Sequence, residues 1–349
     1  MVKCKIKVGI AGYGYSAKTF HIPFLKGNSH YEIRKIFSRK INLRTIDGLD
    51  CQVVYEFDEL LSDDIDVVII CTPNTEHFWM AERAIKSGKH VIIEKPLAVT
   101  ASEALKLEDR AQENKVFVSA YQNRRLDGGF LTAKKVIEDG MLGEILDYES
   151  HFDRYVTGRN KKEWKNMKTE GVNILYDLGV HLIDQVYSLF GMPEEVYADF
   201  RKQREETPDF DNFEIKLYYE NLKATVSAGE VVAEPGPHIV VRGKKGSYTK
   251  FGMDVQEQAL KNGETPVNSN WGEDVPENYG SLCVWENGTF NKKRIKTESG
   301  DYGRYYDNFY DALNGECELI VKIQQSIDVL KIIEAANKSN IEKKRISLV

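Results

Sequence analysis

The apolar positions of the chain fall into two regimes. From Lys5 to about Tyr121, short apolar runs alternate with longer amphipathic stretches. The runs cover residues 6–11, 33–37, 67–71, 90–93 and 116–120, and a shorter one at 52–55 comes third in chain order. Val- and Ile-rich runs of about five residues suit parallel strands covered on both faces. The stretches between them, such as 75–87 and 101–114, suit helices. The second opens Thr100-Ala101-Ser102-Glu103, the spacing of a capping box. Strand-helix alternation of this kind predicts a parallel, doubly wound sheet.

After about Arg125 the pattern changes. Helices are expected over 129–138 and 173–190, the second stopped by Gly191 and Pro193. Phe213, Ile215, Leu217 and Tyr219 then alternate with polar residues, as do Leu222, Ala224, Val226 and Ala228. With Glu220-Asn221 between them, these read as an antiparallel hairpin. Strand-like pieces surround Val240 and Tyr248, residues 262–278 resemble a long loop, and a last helix is expected over 323–337. The fold class is therefore α/β: a dinucleotide-binding domain over 1–124 and an α+β domain over 125–349 with a large open, mainly antiparallel sheet. Such a sheet must cover its second face, and a homo-oligomer contact is one way to do so.

Composition narrows this only slightly. At 349 residues the chain exceeds the size of one typical core, in keeping with two domains. A net charge of −6 argues against a nucleic-acid partner. No apolar run reaches the roughly 18 residues a membrane span needs. The start Met1-Val2-Lys3-Cys4 lacks the regions of a signal peptide, so a cytoplasmic location is expected. Five widely spaced cysteines without a CxxC pattern point to neither a disulfide framework nor a zinc site.

The chemistry begins at Gly12-Tyr13-Gly14-Tyr15-Ser16-Ala17, directly after the first strand. Gly12 permits a tight turn, Gly14 lets backbone approach a pyrophosphate, and Ala17 lets the next helix pack close. The helix N-terminus offers N–H groups to phosphate. The second strand decides which dinucleotide. NAD sites place a carboxylate at its end, whereas here Ser38-Arg39-Lys40 offers a hydroxyl and two cations, which suits the 2′-phosphate of NADP. Lys95, in Glu94-Lys95-Pro96 after the fifth strand, is placed at the crevice beyond the strand ends. Asp177 and His181 lie four apart on one helix face, with Gly179 between them leaving room for a ligand or a strand. Reduction of a carbonyl by hydride needs a proton donor, a group that orients it and a cation at the developing alkoxide. Lys95, Asp177 and His181 supply these roles. A metal held by His181, Asp177 and Asp184 is the competing reading, and the absence of a nearby thiolate or second histidine weighs against it. Substrate contacts are expected from Arg154, Tyr155 and Trp164, and Asn123 and Arg124 should face the crevice. His21, His30, His90, His151 and His238 are read as non-catalytic.

These residues mark a resemblance. Gly12-x-Gly14-x-x-Ala17, Cys71-Thr72-Pro73-Asn74-x-x-His77, Glu94-Lys95-Pro96 and Asp177-x-x-x-His181 resemble the glucose-fructose oxidoreductase / inositol dehydrogenase / rhizopine-catabolism superfamily, Gfo/Idh/MocA, over essentially the whole chain. The resemblance implies a Rossmann domain followed by an α+β domain whose open sheet makes a homodimer or homotetramer. It also implies that Lys95, Asp177 and His181 act on a sugar or cyclitol hydroxyl, while Thr72, Pro73, Asn74, Glu94 and Lys95 line the nicotinamide. His77 belongs to the same cofactor-side stretch and could also cap a turn. Longer stretches, among them Tyr121-Gln122-Asn123-Arg124-Arg125-Leu126-Asp127 and Asn270-Trp271-Gly272-Glu273-Asp274-Val275-Pro276, resemble NADP-dependent scyllo-inositol dehydrogenases. The glycine run that often precedes the family's aspartate is reduced here to Gly171. Two other functions fit the fold: a glycosidase using tightly held nicotinamide, which would release an aglycone without net reduction of NADP, and a nucleotide-sensing regulator, which would not need the three catalytic residues together.

Overall fold

The computed structural model describes residues 5–39, 45–46, 48–158, 168–267 and 270–348. Six strands form the first sheet: β1 (Ile6–Ala11), β2 (Tyr31–Phe37), β3 (Gln52–Val54), β4 (Val67–Ile70), β5 (His90–Ile93) and β6 (Val118–Ala120). They pair in the order β3-β2-β1-β4-β5-β6, every pair parallel. This is the doubly wound order, with its reversal between β1 and β4. All four residues of β4 and Val91, Ile92 and Ile93 of β5 are fully buried, as strands covered on both faces must be. The connections include α1 (Ile22–Gly27), entered through a π turn at Ala17–His21, together with α2 (His77–Lys86) and α3 (Ala101–Asn114). The Thr100 hydroxyl accepts from the Glu103 N–H at 3.2 Å and the Glu103 carboxylate returns to the Thr100 N–H, closing the expected capping box.

The second sheet has nine strands. They are β7 (Ile145–His151), β8 (Glu195–Arg201), β9 (Asn212–Tyr218), β10 (Lys223–Gly229), β11 (Ile239–Gly243), β12 (Gly246–Lys250), β13 (Gly280–Glu286), β14 (Thr289–Ile295) and β15 (Ile346–Ser347). Their order is β14-β13-β12-β11-β7-β10-β9-β8-β15, antiparallel except for the β7–β10 pair. The expected hairpin is β9–β10, in the register Leu217↔Ala224, Ile215↔Val226, Phe213↔Ala228, and these six side chains are fully buried. Helices α4 (Gly128–Glu138) and α5 (Val180–Phe190) cover that face, α4 on β11 and β12 and α5 on β10. The opposite face carries charge: Lys223 pairs with Asp147 at 3.2 Å, Lys216 with Glu214 at 2.9 Å, and Arg242 with Glu149. The same face also carries the exposed aromatic pair Trp285 and Phe290 at its β13–β14 end.

The chain divides into two compact units, neither continuous in sequence. The first comprises Met1–Asn123, Gln256–Trp271 and Asp301–Ile327, and the second Arg124–Val255, Gly272–Gly300 and Asp328–Val349. Sequence reasoning draws a single cut near residue 124 and does not foresee the two returns to the first unit. One return brings α6 (Gln256–Lys261), held by buried Gln256, whose Oε1 accepts from Trp271 Nε1 at 3.2 Å and from the Tyr302 N–H at 2.8 Å. The other brings α7 (Gly303–Leu313), whose Tyr305, Tyr306, Phe309 and Tyr310 are buried. The last helix, α8 (Ile323–Glu342), runs several residues past its expected end.

Candidate active site

In the first unit, every described residue expected at the cofactor follows a strand. Gly12, Tyr13, Gly14 and Tyr15 follow β1, Ser38 and Arg39 follow β2, Thr72, Pro73 and Asn74 follow β4, Glu94 and Lys95 follow β5, and Asn123 follows β6. All therefore collect at the carboxyl edge of the parallel sheet, where such folds hold ligands. Lys40 lies outside the described residues.

The two glycines of the turn do different work. Gly12 has φ +103°, and a Cβ there would meet the Cys71 carbonyl oxygen at 3.0 Å. That glycine is needed by the fold itself. A Cβ at Gly14 would meet nothing within 4 Å. The open space over Gly14 leaves its backbone accessible to a phosphate group, so the residues present fit a dinucleotide. Tyr13 lies under the Lys18 ammonium at 4.2 Å. Burial raises the Tyr15 phenol above its usual range, with Glu257 adding to the effect and Lys261 opposing it, so α6 also borders the turn.

Beyond β2, Ser38 is buried and Arg39 pairs with Glu76 at 2.7 Å. No carboxylate stands at the end of β2 itself, yet one arrives from the turn after β4. His77 is fully buried, and its Nδ1 and Nε2 lie 2.8 and 3.0 Å from the carbonyls of Pro96 and Thr72. Burial, the largest influence, holds its ring below the ordinary histidine range. His77 thus sits between the loop after β4 and the loop after β5, its neutral ring donating to one of the two carbonyls, the structural role that sequence left open.

Glu94 is the hub of the β5 end. Its Oε1 accepts from Ser16 Oγ and lies 2.9 Å from His21 Nε2, and its Oε2 accepts from the Lys95 N–H at 3.2 Å. Burial alone would raise this carboxyl. The bonds from His21 and Ser16 and the charge on Lys95 overcome it and hold Glu94 below the usual carboxylate range. The Lys95–Pro96 peptide bond is cis.

In the second unit, the expected helix over 173–190 starts differently. Asn173 Oδ1 accepts from the N–H groups of Leu175 and Tyr176 at 3.1 and 3.3 Å, a π turn spans Leu175–Gly179, and α5 follows. A π turn is wider than an α turn, so Asp177 and His181 still share a face. Gly179 is required by packing: a Cβ there would lie 2.5 Å from Leu175 Cδ1 and 3.0 Å from Phe213 Cζ. Leu175 of the same turn and Phe213 of β9 fill the space beside it. His181 is buried, its ring 6.5 Å from Phe152, and Phe152 also stacks on His238 at 5.1 Å and lies 5.7 Å under the Arg124 guanidinium. Arg154 is fixed through its backbone, its N–H donating to the Gly229 carbonyl at 2.8 Å. Tyr155 is exposed and bridges to Val231. Burial raises the Glu230 carboxyl; Arg204 and Arg154 oppose this, while Asp211 and Asp177 add to it, so Glu230 belongs to the electrostatic surroundings of Asp177. Trp164 lies outside the described residues. Asp184 makes two 2.7 Å bonds to Arg125, to Nε and an Nη, with both side chains buried. Its carboxylate is therefore engaged in a buried, two-bond ion pair.

Residues 6–122 match the family model described as an oxidoreductase family, NAD-binding Rossmann fold, and residues 134–348 match the companion C-terminal alpha/beta domain. The chain belongs to the Gfo/Idh/MocA oxidoreductase family. Within that family it is 39% identical to scyllo-inositol 2-dehydrogenase (NADP(+)) IolW of Bacillus subtilis (strain 168), over 98% of this chain and 96% of the other. It is 37% identical to the oxidoreductase YdgJ of Escherichia coli (strain K12), over 94% of each chain. The solved structure of the oxidoreductase yvaA from Bacillus subtilis superposes with a TM-score of 0.95 at 38% identity, covering 99% of both chains. As a Gfo/Idh/MocA member the chain is an oxidoreductase with an NAD(P)-binding Rossmann domain. Among the described residues, no helix is long and apolar enough to cross a membrane.

Sequence reasoning missed His21, Glu76 and Phe152. His21 and Phe152 sit in segments whose apolar neighbours suggest core, and only their partners give them a role.

Proposed function

We propose that this oxidoreductase reversibly dehydrogenates a secondary hydroxyl of a cyclic polyol or sugar with NADP⁺, scyllo-inositol being the leading substrate class. What carries the reading is the joint presence of Lys95 after β5 and Asp177 and His181 at the head of α5, in a chain 39% identical to an NADP(+)-dependent scyllo-inositol dehydrogenase. The nicotinamide supplies the hydride acceptor or donor when bound. His181 takes the hydroxyl proton during oxidation and returns it during reduction. Asp177 orients the imidazole and favours its charged form. Lys95 donates to the reacting oxygen and stabilises its negative charge. Ser38 and Arg39 select the 2′-phosphate of NADP, with Glu76 holding one guanidinium nitrogen. Gly12, Tyr13, Gly14, Tyr15, Thr72, Pro73, Asn74, Glu94 and Asn123 line the cofactor, and Arg124, Arg154 and Tyr155 contact the polyol. A second copy of the chain is the expected partner, through the charged face of the nine-stranded sheet, and light scattering on the purified protein checks it.

The test is a screen of NADP⁺ reduction across inositol isomers and common aldoses. Turnover of an inositol above all aldoses supports the reading, and no turnover of any polyol overturns it. A relative 27% identical over 73% of this chain is named 2,7-anhydro-N-acetylneuraminate hydratase, in Escherichia coli (strain K12). The screen therefore follows substrate consumption as well as NADPH, so that chemistry without net reduction is detected.

A further inference from the structure

We propose that His21 is a positioning residue of the reaction: it fixes Glu94, and through Glu94 the backbone that carries Lys95. The inference rests on the assignment of Lys95 above. His21 is fully buried in the π turn that follows the glycine turn, yet it is polar on both sides. Its Nε2 lies 2.9 Å from Glu94 Oε1 and its Nδ1 lies 2.6 Å from the Tyr306 hydroxyl. Its ring rests on Tyr121, centroids 4.4 Å apart, and the Tyr121 hydroxyl donates to the Phe20 carbonyl at 2.8 Å.

The direction of this chain follows from donor inventory. An ionised carboxylate only accepts, so Nε2 carries a proton and donates to Glu94. In a neutral imidazole Nδ1 is then an acceptor, and the Tyr306 hydroxyl donates to it. The Tyr306 phenol is suited to this, since burial keeps it protonated well above its usual range. Glu94 thus receives the His21 ring and the Ser16 hydroxyl on one oxygen and the Lys95 N–H on the other. Three donors from two places in the chain leave this carboxylate one orientation. A merely structural buried histidine would also need a partner for each ring nitrogen, but neither partner would have to touch the strand end that carries Lys95.

Ser16 belongs to the glycine turn, and the same Glu94 oxygen binds both Ser16 and His21. The turn over which a dinucleotide phosphate would lie and the backbone of Lys95 are therefore held to one carboxylate.

Three variants separate this role from packing. His21→Phe preserves the ring on Tyr121 and removes both polar bonds. His21→Gln can still donate from its amide toward Glu94. Tyr306→Phe removes only the outer bond. With NADP⁺ and scyllo-inositol as probes, His21→Phe should lower kcat about ten-fold or more while NADPH affinity, read by fluorescence, stays within about three-fold. His21→Gln should recover most of that loss, and Tyr306→Phe should lose less than His21→Phe. Independently of turnover, ¹H–¹⁵N spectra should show a proton on His21 Nε2 and none on Nδ1. Wild-type kcat in His21→Phe, equal losses in His21→Phe and His21→Gln, or an Nδ1–H tautomer would each overturn the proposal. If His21→Phe does not fold, the His21→Gln to Tyr306→Phe comparison and the tautomer still decide. Should Lys95→Met keep normal turnover, the assignment of Lys95 fails instead, and the tautomer reports on His21 alone.

Discussion

Replacing Asp184 with alanine should destabilise the second unit by about 3–5 kcal/mol, the usual effect of removing one partner of a buried ion pair. The structure sets that size. Asp184 is 1% exposed and Arg125 is 9% exposed, so neither charge has water to fall back on. Both bonds are 2.7 Å and come from two guanidinium nitrogens, the fork geometry in which such pairs are strongest. The neighbouring Gln185 Nε2 donates to the Arg124 carbonyl at 2.7 Å, so α5 is tied twice to the same short segment. The pair fixes the helix that bears His181, three residues earlier. Urea unfolding followed by tryptophan fluorescence measures the loss. The double variant Arg125→Met with Asp184→Leu should recover much of it, because a buried pair is often replaceable by apolar volume. A single-variant loss under about 1 kcal/mol would refute the claim that this pair, rather than a ligand, accounts for Asp184.

Three further outcomes follow from named contacts. Gly14→Ala should leave thermal stability within about 0.5 kcal/mol, the range of a surface change, since its Cβ meets nothing. The same variant should weaken NADPH binding at least ten-fold by titration; unchanged binding would remove the phosphate role of the turn. His238 is held down to about 4, first by burial and then by the charges of Arg124 and Lys250. Its folded form resists the proton that the unfolded chain accepts near 6.5, so stability is full above pH 6.5 and falls between there and pH 4, by about 3 kcal/mol. His238→Phe should flatten that part of the stability profile in thermal melts from pH 7 to 4, and an unchanged slope would count against it. Finally, NADPH should exceed NADH in kcat/KM, and Arg39→Ala should narrow the ratio about ten-fold or more, the size of a hydrogen bond between charged groups; a preference for NADH would reassign the Glu76 carboxylate to the ribose.

The first sheet was legible because its strands are buried on both faces and read as unbroken Val and Ile runs, with boundaries within about two residues of those observed. The β9–β10 hairpin was legible for the opposite reason, a strict alternation over one buried face. Strand β14 was not: residues 289–294 are exposed, so Thr-Phe-Asn-Lys-Lys-Arg-Ile carries no buried period. Helix α7 hides its pattern in aromatic residues of modest helix propensity, Tyr305, Tyr306, Phe309 and Tyr310. The candidate site divides the same way. Gly12, Lys95, Asp177 and His181 stand in short motifs, whereas Glu76 reaches Arg39 across 37 positions and His21 reaches Tyr306 across 285, spacings no local pattern encodes.

Turnover of NADP⁺ with scyllo-inositol by the wild type, Lys95→Met and His181→Asn decides whether these side chains carry the reaction. The wild type should form NADPH, and kcat should fall by about 10² to 10⁴ in each variant, the range of an acid-base contribution, with NADPH affinity retained. Near-normal turnover in both variants, or a wild type that binds NADPH and oxidises no polyol, would contradict that role.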